Sequence, residues 1–294
     1  MLKRLWSLLF ALCLVPVVAL STAHAEVYFP YVLADIAAPT VDDGLTQVKD
    51  RLSGAGFDVV GQYALNGDAQ VLIATSGAQQ ALAAKSEHGG FGAATRISVT
   101  AVEGTVQVAY TDPRWMAHAY RLEDDGSALL GRLTAALGNK QSFGSAAGME
   151  KERLRLYQYM IFMPDFEDVE KLASHSNYQA AVAAVEAGLQ KGAGGTAKVY
   201  RIDIPGKEES LFGVALNEGA GADKAVMGII DTAPLKHTAH LPYEMLVSGG
   251  KVVMLHGKFR MAQSFPDLSM GTFMEISAAP DAIVEALSQA ASGK

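Results

Sequence analysis

Hydrophobic and polar positions along this chain follow two rhythms. Between Thr40 and Gly56, apolar residues recur at Val41, Leu45, Val48 and Leu52, spacings of four, three and four that place them on one helical face. Thr40 suits the N-cap, Asp42 and Asp43 suit a first turn where the helix dipole favours negative charge, and Gly54 and Gly56 supply the stop. Around this helix the rhythm is that of strands. Val27–Ile36 is an apolar run rich in β-branched and aromatic residues, ended by Pro39-Thr40. Phe57–Leu65 and Gln70–Thr75 flank Asn66-Gly67-Asp68, a hairpin signal because Asn and Gly tolerate positive φ. Arg96–Val102 and Thr105–Tyr110 flank Glu103-Gly104 in the same way. Between the hairpins lie a short helix, Gln79–Lys85, and a flexible loop, Gly89–Gly92. Asp112-Pro113 opens a helix over Arg114–Arg121, Pro113 having no N–H to leave unpaired, and Ser127–Leu137 closes the unit.

The second half repeats this order. Leu156–Met163 reads as a strand broken by Pro164, and Asp165–His175 and Tyr178–Gln190 read as helical. Lys198–Ile204 and Leu211–Leu216 flank Pro205-Gly206-Lys207; Ala222–Ile230 is a short helix; Tyr243–Val247 and Lys251–His256 flank Ser248-Gly249-Gly250. Lys258–Phe265 and Pro280–Ala291 are the last helices. The stretch Val106–Arg121 has its echo 146 residues later, in Val252–Asp267. Aligned without a gap, Gly104 falls on Gly250, Tyr110 on His256 and Arg114 on Arg260. The expectation is an α+β protein of two similar lobes, each a mainly antiparallel sheet with helices packed on one face. The domains are residues 26–140 and 154–294, joined by a linker over 141–153; Gly138–Gly148, small and polar, reads as linker by composition. Whether the two sheets face each other or the helical layers meet stays open.

Composition changes the picture mainly at the N-terminus. Lys3 and Arg4, the apolar run Leu5–Leu20 and the Ala23-His24-Ala25 end have the form of a secretory signal peptide over residues 1–25; an uncleaved anchor is the rival. Cleavage after Ala25 would shorten the chain from 294 residues to 269 and remove its one cysteine, Cys13. Disulfides and thiolate chemistry would be excluded from the mature protein. Its 22 Lys and Arg against 31 Asp and Glu give a formal charge of −9. An acidic chain without a basic run argues against nucleic acid and against an anionic membrane surface, and no later segment has membrane-spanning length. A periplasmic or secreted protein is expected, with a small ligand or a periplasmic protein as partner and a homodimer as a candidate assembly.

At Tyr110-Thr111-Asp112-Pro113, followed by Trp115, Met116, Ala117 and Tyr120, the chain resembles the family catalogued as domain of unknown function 302: an apolar strand, Tyr-Asn-Asp-Pro, then a short helix with an aromatic or aliphatic pair and a Tyr. His240-Leu241-Pro242, Tyr243–Val247, Gly249-Gly250 and Lys251–Val253 are similar to that family's Leu-Pro, strand, turn, strand run. The second half departs at the tetrapeptide, where it has His256-Gly257-Lys258-Phe259. The resemblance covers nearly all of the mature chain. It implies a compact α+β fold and no established activity.

Candidate chemistry gathers in two places. Tyr110, Asp112, Arg114, His118 and Tyr120, with His256 from the second half, are candidate ligand-binding residues. Tyr110 and Asp112 equally suit bonding and capping the turn, and His118 and Tyr120, two apart on a helix, do not share a face, so one of them is expected inside. His237 and His240, with Met245 as a soft donor, are candidate metal ligands. Haem is the other cofactor these residue types could hold, through His118, His256 or a Met, but without Cys-x-x-Cys-His it would not be covalent. There is no Gly-x-Ser-x-Gly, His-Glu-x-x-His or Walker loop. The sequence therefore points to a non-catalytic ligand- or partner-binding accessory protein, with metal or haem binding as the alternative and an enzyme lacking a known motif as a third reading.

Overall fold

The structure is a computed structural model and describes residues 25–293. The leader reading lies outside the described residues except for Ala25. The first unit runs β1 (Val27–Tyr28), β2 (Tyr31–Leu33), α1 (Val41–Gly54), β3 (Asp58–Asn66), β4 (Ala69–Thr75), α2 (Gly77–Ala83), β5 (Thr95–Val102), β6 (Thr105–Thr111), α3 (Pro113–Ala119), α4 (Ser127–Leu137) and β7 (Gln141–Phe143). Its six-stranded sheet has the order β3-β4-β5-β6-β2-β7, antiparallel throughout. Helix α1 begins as its composition requires, with the Thr40 hydroxyl accepting from Asp43 N at 3.1 Å, and it buries Leu45, Val48 and Leu52.

Then follow β8 (Met149–Glu150), α5 (Lys151–Arg155), β9 (Val169–Ser174), α6 (Tyr178–Gln190), β10 (Thr196–Asp203), β11 (Glu209–Leu216), α7 (Asp223–Ile230), β12 (Tyr243–Ser248), β13 (Lys251–Leu255), α8 (Gly257–Ser264), α9 (Met270–Glu275) and α10 (Ala279–Ser292). The second sheet has the order β10-β11-β12-β13-β9, again antiparallel. Position for position this is β3-β4-β5-β6-β2. The protein is thus α+β, and one strand order is written twice.

Alternation along the strands sets the layers. Leu72, Ala74, Ile97, Val99, Val108 and Tyr110 leave the first sheet on one face and pack under α1 and α4. Phe212, Val214, Met245, Val247, Val252 and Met254 leave the second sheet toward α6 and α10. The opposite faces meet: Val71 and Ile73 of β4 share a cluster with Tyr200, Ile202, Leu211, Leu246 and Val253. The sheets therefore pack on each other with helices outside, the arrangement the sequence left open. Each unit also reaches across. The turn Gly89–Gly92 of the first sits on the second sheet, where a Cβ on Gly90 would lie 2.5 Å from Leu246 Cδ1. The turn Thr238–His240 of the second sits on the first sheet, tied by Thr100 Oγ1 to Thr238 Oγ1 at 3.1 Å.

Several expectations are corrected. Val27–Ile36 is two short strands parted at Phe29-Pro30. Segment 138–148 is not loose linker: β7 extends the first sheet beside β2, and β8, just beyond, pairs with β1. Leu156–Met163 is irregular chain, with Leu156, Met160, Ile161 and Phe162 exposed. Its apolar composition suits a strand, but it pairs with no sheet edge. Asp165–His175 is not helical; it contains β9, because the open edge of β13 offers a hydrogen-bond ladder that outweighs weak local preference. Gly89–Gly92 is a buried 3₁₀ turn rather than a flexible loop. The gapless alignment also slips. It holds at the hairpins, Val102↔Thr105 against Ser248↔Lys251, but β13 is two residues shorter than β6, so Asp112 corresponds to His256. Both cap the next helix: Asp112 Oδ1 accepts from Arg114 N at 2.8 Å and His256 Nδ1 from Lys258 N at 3.2 Å.

Candidate functional site

Apolar contacts between the sheets give way, near β5 and β12, to a buried polar network. Arg96 projects from the inner face of β5. Its Nη1 donates to both oxygens of Glu244 at 2.9 and 3.0 Å, and its Nε donates to Ala239 O at 3.0 Å. Tyr200 adds its hydroxyl to Glu244 Oε1 at 2.6 Å. Arg260 of α8 donates through Nη1 to His240 Nδ1 at 3.0 Å and to Ser264 Oγ at 2.7 Å. Its Nε lies 3.9 Å from Glu244 Oε2. Two guanidiniums therefore converge on one carboxylate with almost no solvent, a geometry in which each charge is tolerated only because the other is there.

His240 is used at both ends. Burial, then the charges of Arg260 and Arg96, hold its pKa well below the usual histidine range. As a neutral ring it accepts from Arg260 at Nδ1, which leaves the proton on Nε2 to donate to Tyr243 Oη at 3.2 Å.

His237 is different. Its backbone N–H donates to Asp231 Oδ1 at 2.9 Å and its Nδ1 lies 3.3 Å from the same oxygen. A carboxylate only accepts, so Nδ1 carries a proton, and in the neutral ring Nε2 presents a lone pair. That Nε2 is buried and has no hydrogen-bond partner, in a residue only 8% exposed. The ring is held by aromatic neighbours, with centroids 5.1 Å from Tyr31, 5.8 Å from Phe143 and 4.8 Å from Phe265. It lines an open cleft of about 620 Å³ between the end of β7, the chain from Ile230 to His237, and the chain from Phe265 to Thr272. Phe143, Leu235, Phe265 and Leu268 make much of the wall apolar, and Ser145, Thr232, Ser269 and Thr272 add hydroxyls. Gly144 lies beside the imidazole: with φ +101°, a Cβ there would sit 3.3 Å from His237 Nε2 and 2.8 Å from Tyr31 Cδ2. This glycine lets the chain pack closely against the imidazole and Tyr31. No hydroxyl lies within bonding distance of Nε2 among the described residues, so the Asp–His pair lacks the nucleophile of a triad.

The other sequence-suggested residues are dispersed. Tyr110 faces the first helical layer, its hydroxyl on Gly138 O at 2.9 Å. Asp112 caps α3 and pairs with Arg114, whose guanidinium also meets Glu26 and lies over Tyr28. His118 and Tyr120 are both buried, against the expectation of one, because α3 is covered on every side. His118 stacks edge-on to Tyr28 at 4.8 Å, its pKa lowered by burial and then by Lys151 and Arg155; Tyr120 stacks on Phe166 at 5.5 Å. His256 Nε2 faces Glu170 at 3.3 Å. Met245 points into the second helical core. The proposed metal set is thus split: His237 and His240 both touch Phe265, but only His237 has a free nitrogen. No group of three or more His, Cys, Asp or Glu gathers in metal-binding geometry among the described residues. Asp231, Gly144 and the Arg96–Glu244–Arg260 network went unread in sequence. Asp231, six residues before His237, was the one local signal available. Comparison of the chain with models of known protein families, with curated proteins and with solved structures found no match in any of the three.

Proposed function

We propose that this is a secreted or periplasmic ligand-binding accessory protein whose cleft holds a small, largely apolar molecule by one hydrogen-bond donor. The observation that carries this reading is the buried Nε2 of His237, without a partner among the described residues, in a ring that Asp231 orients at the wall of the cleft. A buried acceptor without a partner costs about 1–3 kcal/mol, which a ligand hydroxyl or N–H would offset. The cleft volume falls within the range of small-molecule sites, and its apolar walls with a few polar groups suit such a ligand. The absence of a nucleophile at Nε2 favours binding over hydrolysis.

2-Naphthol, an apolar body with one hydroxyl, tests the reading against 2-methoxynaphthalene, which lacks the donor. By fluorescence titration the naphthol should bind about 3- to 10-fold more tightly, the worth of one hydrogen bond. His237→Phe should erase that preference while leaving the melting temperature near the wild-type value. Equal affinity for the two probes, or a preference that survives in the variant, overturns the reading. Metal binding is the second reading, favoured by the carboxylate behind His237, an arrangement that also orients metal-ligating imidazoles. It rests on this one ring, since His240 is occupied at both nitrogens. Zinc or copper raising the melting temperature of the wild type but not of His237→Phe would favour it.

A further inference from the structure

Taking the cleft beside His237 as the binding site proposed above, we infer that its ligand is an amine: an apolar body whose ammonium group pairs with Asp267 at the rim while its donor meets the imidazole. Besides that imidazole, Asp267 is the one ionisable side chain on the cleft wall, and no Lys or Arg lines it. Lys236 belongs to the neighbouring chain but turns its ammonium to Asp231 O at 3.0 Å and is not part of the lining. The wall therefore offers a cation a carboxylate and the rings of Phe143 and Phe265, and offers an anion no charge to meet.

The carboxylate is fixed in place. Leu268 N donates to Phe265 O at 3.0 Å, closing a turn whose two corners are Pro266 and Asp267, and proline sets the first corner. The turn is tied down at both ends. Tyr159 Oη donates to Leu268 O at 3.0 Å, and the Phe265 ring packs on that of His237 with centroids 4.8 Å apart. One short piece of chain thus carries the carboxylate and touches the imidazole. Asp267 Oδ2 also accepts from Ala146 N at 2.6 Å, which joins the rim to the chain beyond β7. That bond does not account for the charge, since an asparagine carbonyl would accept from Ala146 N as well. Asp267 enters no ion pair among the described residues. A rigid carboxylate without a counter-ion stands over an apolar cleft whose other polar landmark, His237 Nε2, is a buried acceptor without a partner. Both groups ask for donors, and one of them asks for positive charge. The excess of Asp and Glu over Lys and Arg in the whole chain adds a weak, long-range attraction of the same kind.

Three probes with one phenol in common test this: tyramine, which is a cation, 4-ethylphenol, which is neutral, and 3-(4-hydroxyphenyl)propionate, which is an anion. Each is titrated near neutral pH as a competitor of 2-naphthol fluorescence. Because Asp267 is exposed, tyramine should bind only about 2- to 5-fold more tightly than 4-ethylphenol at low salt, and the propionate more weakly by a similar factor. High salt should close both gaps. Asp267→Asn should bring tyramine down to the affinity of 4-ethylphenol, with the melting temperature unchanged because the acceptor for Ala146 N is kept. Equal affinity of tyramine and 4-ethylphenol for the wild type overturns the proposal. So does a tyramine preference that survives in Asp267→Asn, which would assign it to the net charge of the protein. A flat charge series beside a His237-dependent preference for 2-naphthol removes the amine and leaves the cleft reading standing, whereas loss of the naphthol preference itself removes both.

Discussion

Asp223 carries the clearest consequence of burial for a single side chain. It lies on α7 of the second unit, accepts Tyr63 Oη from the first at 2.7 Å and Leu216 N at 2.9 Å, and leaves Oδ1 without a partner. Burial pushes its pKa up to about 7, against 3.8 for the free side chain, and its two hydrogen bonds only partly oppose the rise. The folded state therefore holds the proton more tightly than the unfolded state. The resulting stability is complete below about pH 4 and is lost as pH rises through 7. Asp223→Asn keeps an acceptor for both donors and removes the ionisation. Urea denaturation from pH 4 to 8 should show wild type losing stability relative to the variant; parallel curves would mean that the carboxyl is not buried as described. At this scale the sequence was half legible. His237 stood out as an imidazole, but its apparent partner was His240, three residues away, rather than Asp231. Arg96 and Glu244 gave no signal at all, because their meeting depends on a fold that brings together positions 148 apart.

Elements were legible where local and non-local forces agreed. For α1, cap, first-turn acids and apolar spacing all point to one helix, and it forms where they say. They were illegible where the outcome rests on distant chain: β9 exists because β13 has an edge to fill, while residues 156–163, apolar as they are, pair with no strand. The caps of α3 and α8 show how two side chains of different chemistry perform one role. Asp112 is fully buried and also pairs with Arg114, while His256 is only partly buried and pairs across to Glu170. Asp112→Ala should therefore destabilise the protein by about 1–2 kcal/mol and His256→Ala by less, near 0.5–1 kcal/mol, in equilibrium urea unfolding. A larger loss at His256 would mean that the two positions are not equivalent caps.

At the scale of the whole molecule, one strand order occurs twice, the two sheets pack inner face to inner face, and helices cover the outside. The shared strand order was visible in the hairpins and in the helices that follow them, since turn residues and apolar runs are local. The mutual packing was not, because both faces of each sheet are largely apolar and either could have been the contact. The polar residues that mark the inner face, Arg96, Ser98 and Thr100 on β5 and Glu244 on β12, are sparse among apolar neighbours.

The reciprocal reach of the two turns, Gly89–Gly92 and Thr238–His240, bears on how the halves live apart. Each roofs a sheet to which it does not belong, so neither half severed from its sister keeps a complete interior. Co-expressed as separate polypeptides, residues 25–146 and 147–293 should reconstitute a one-to-one complex, with β1 and β8 restored as a pair across the cut, whereas either fragment alone should be insoluble or loosely folded. Calorimetry on the reassembled pair should show a single transition, and two independently melting fragments would rule that mutual dependence out.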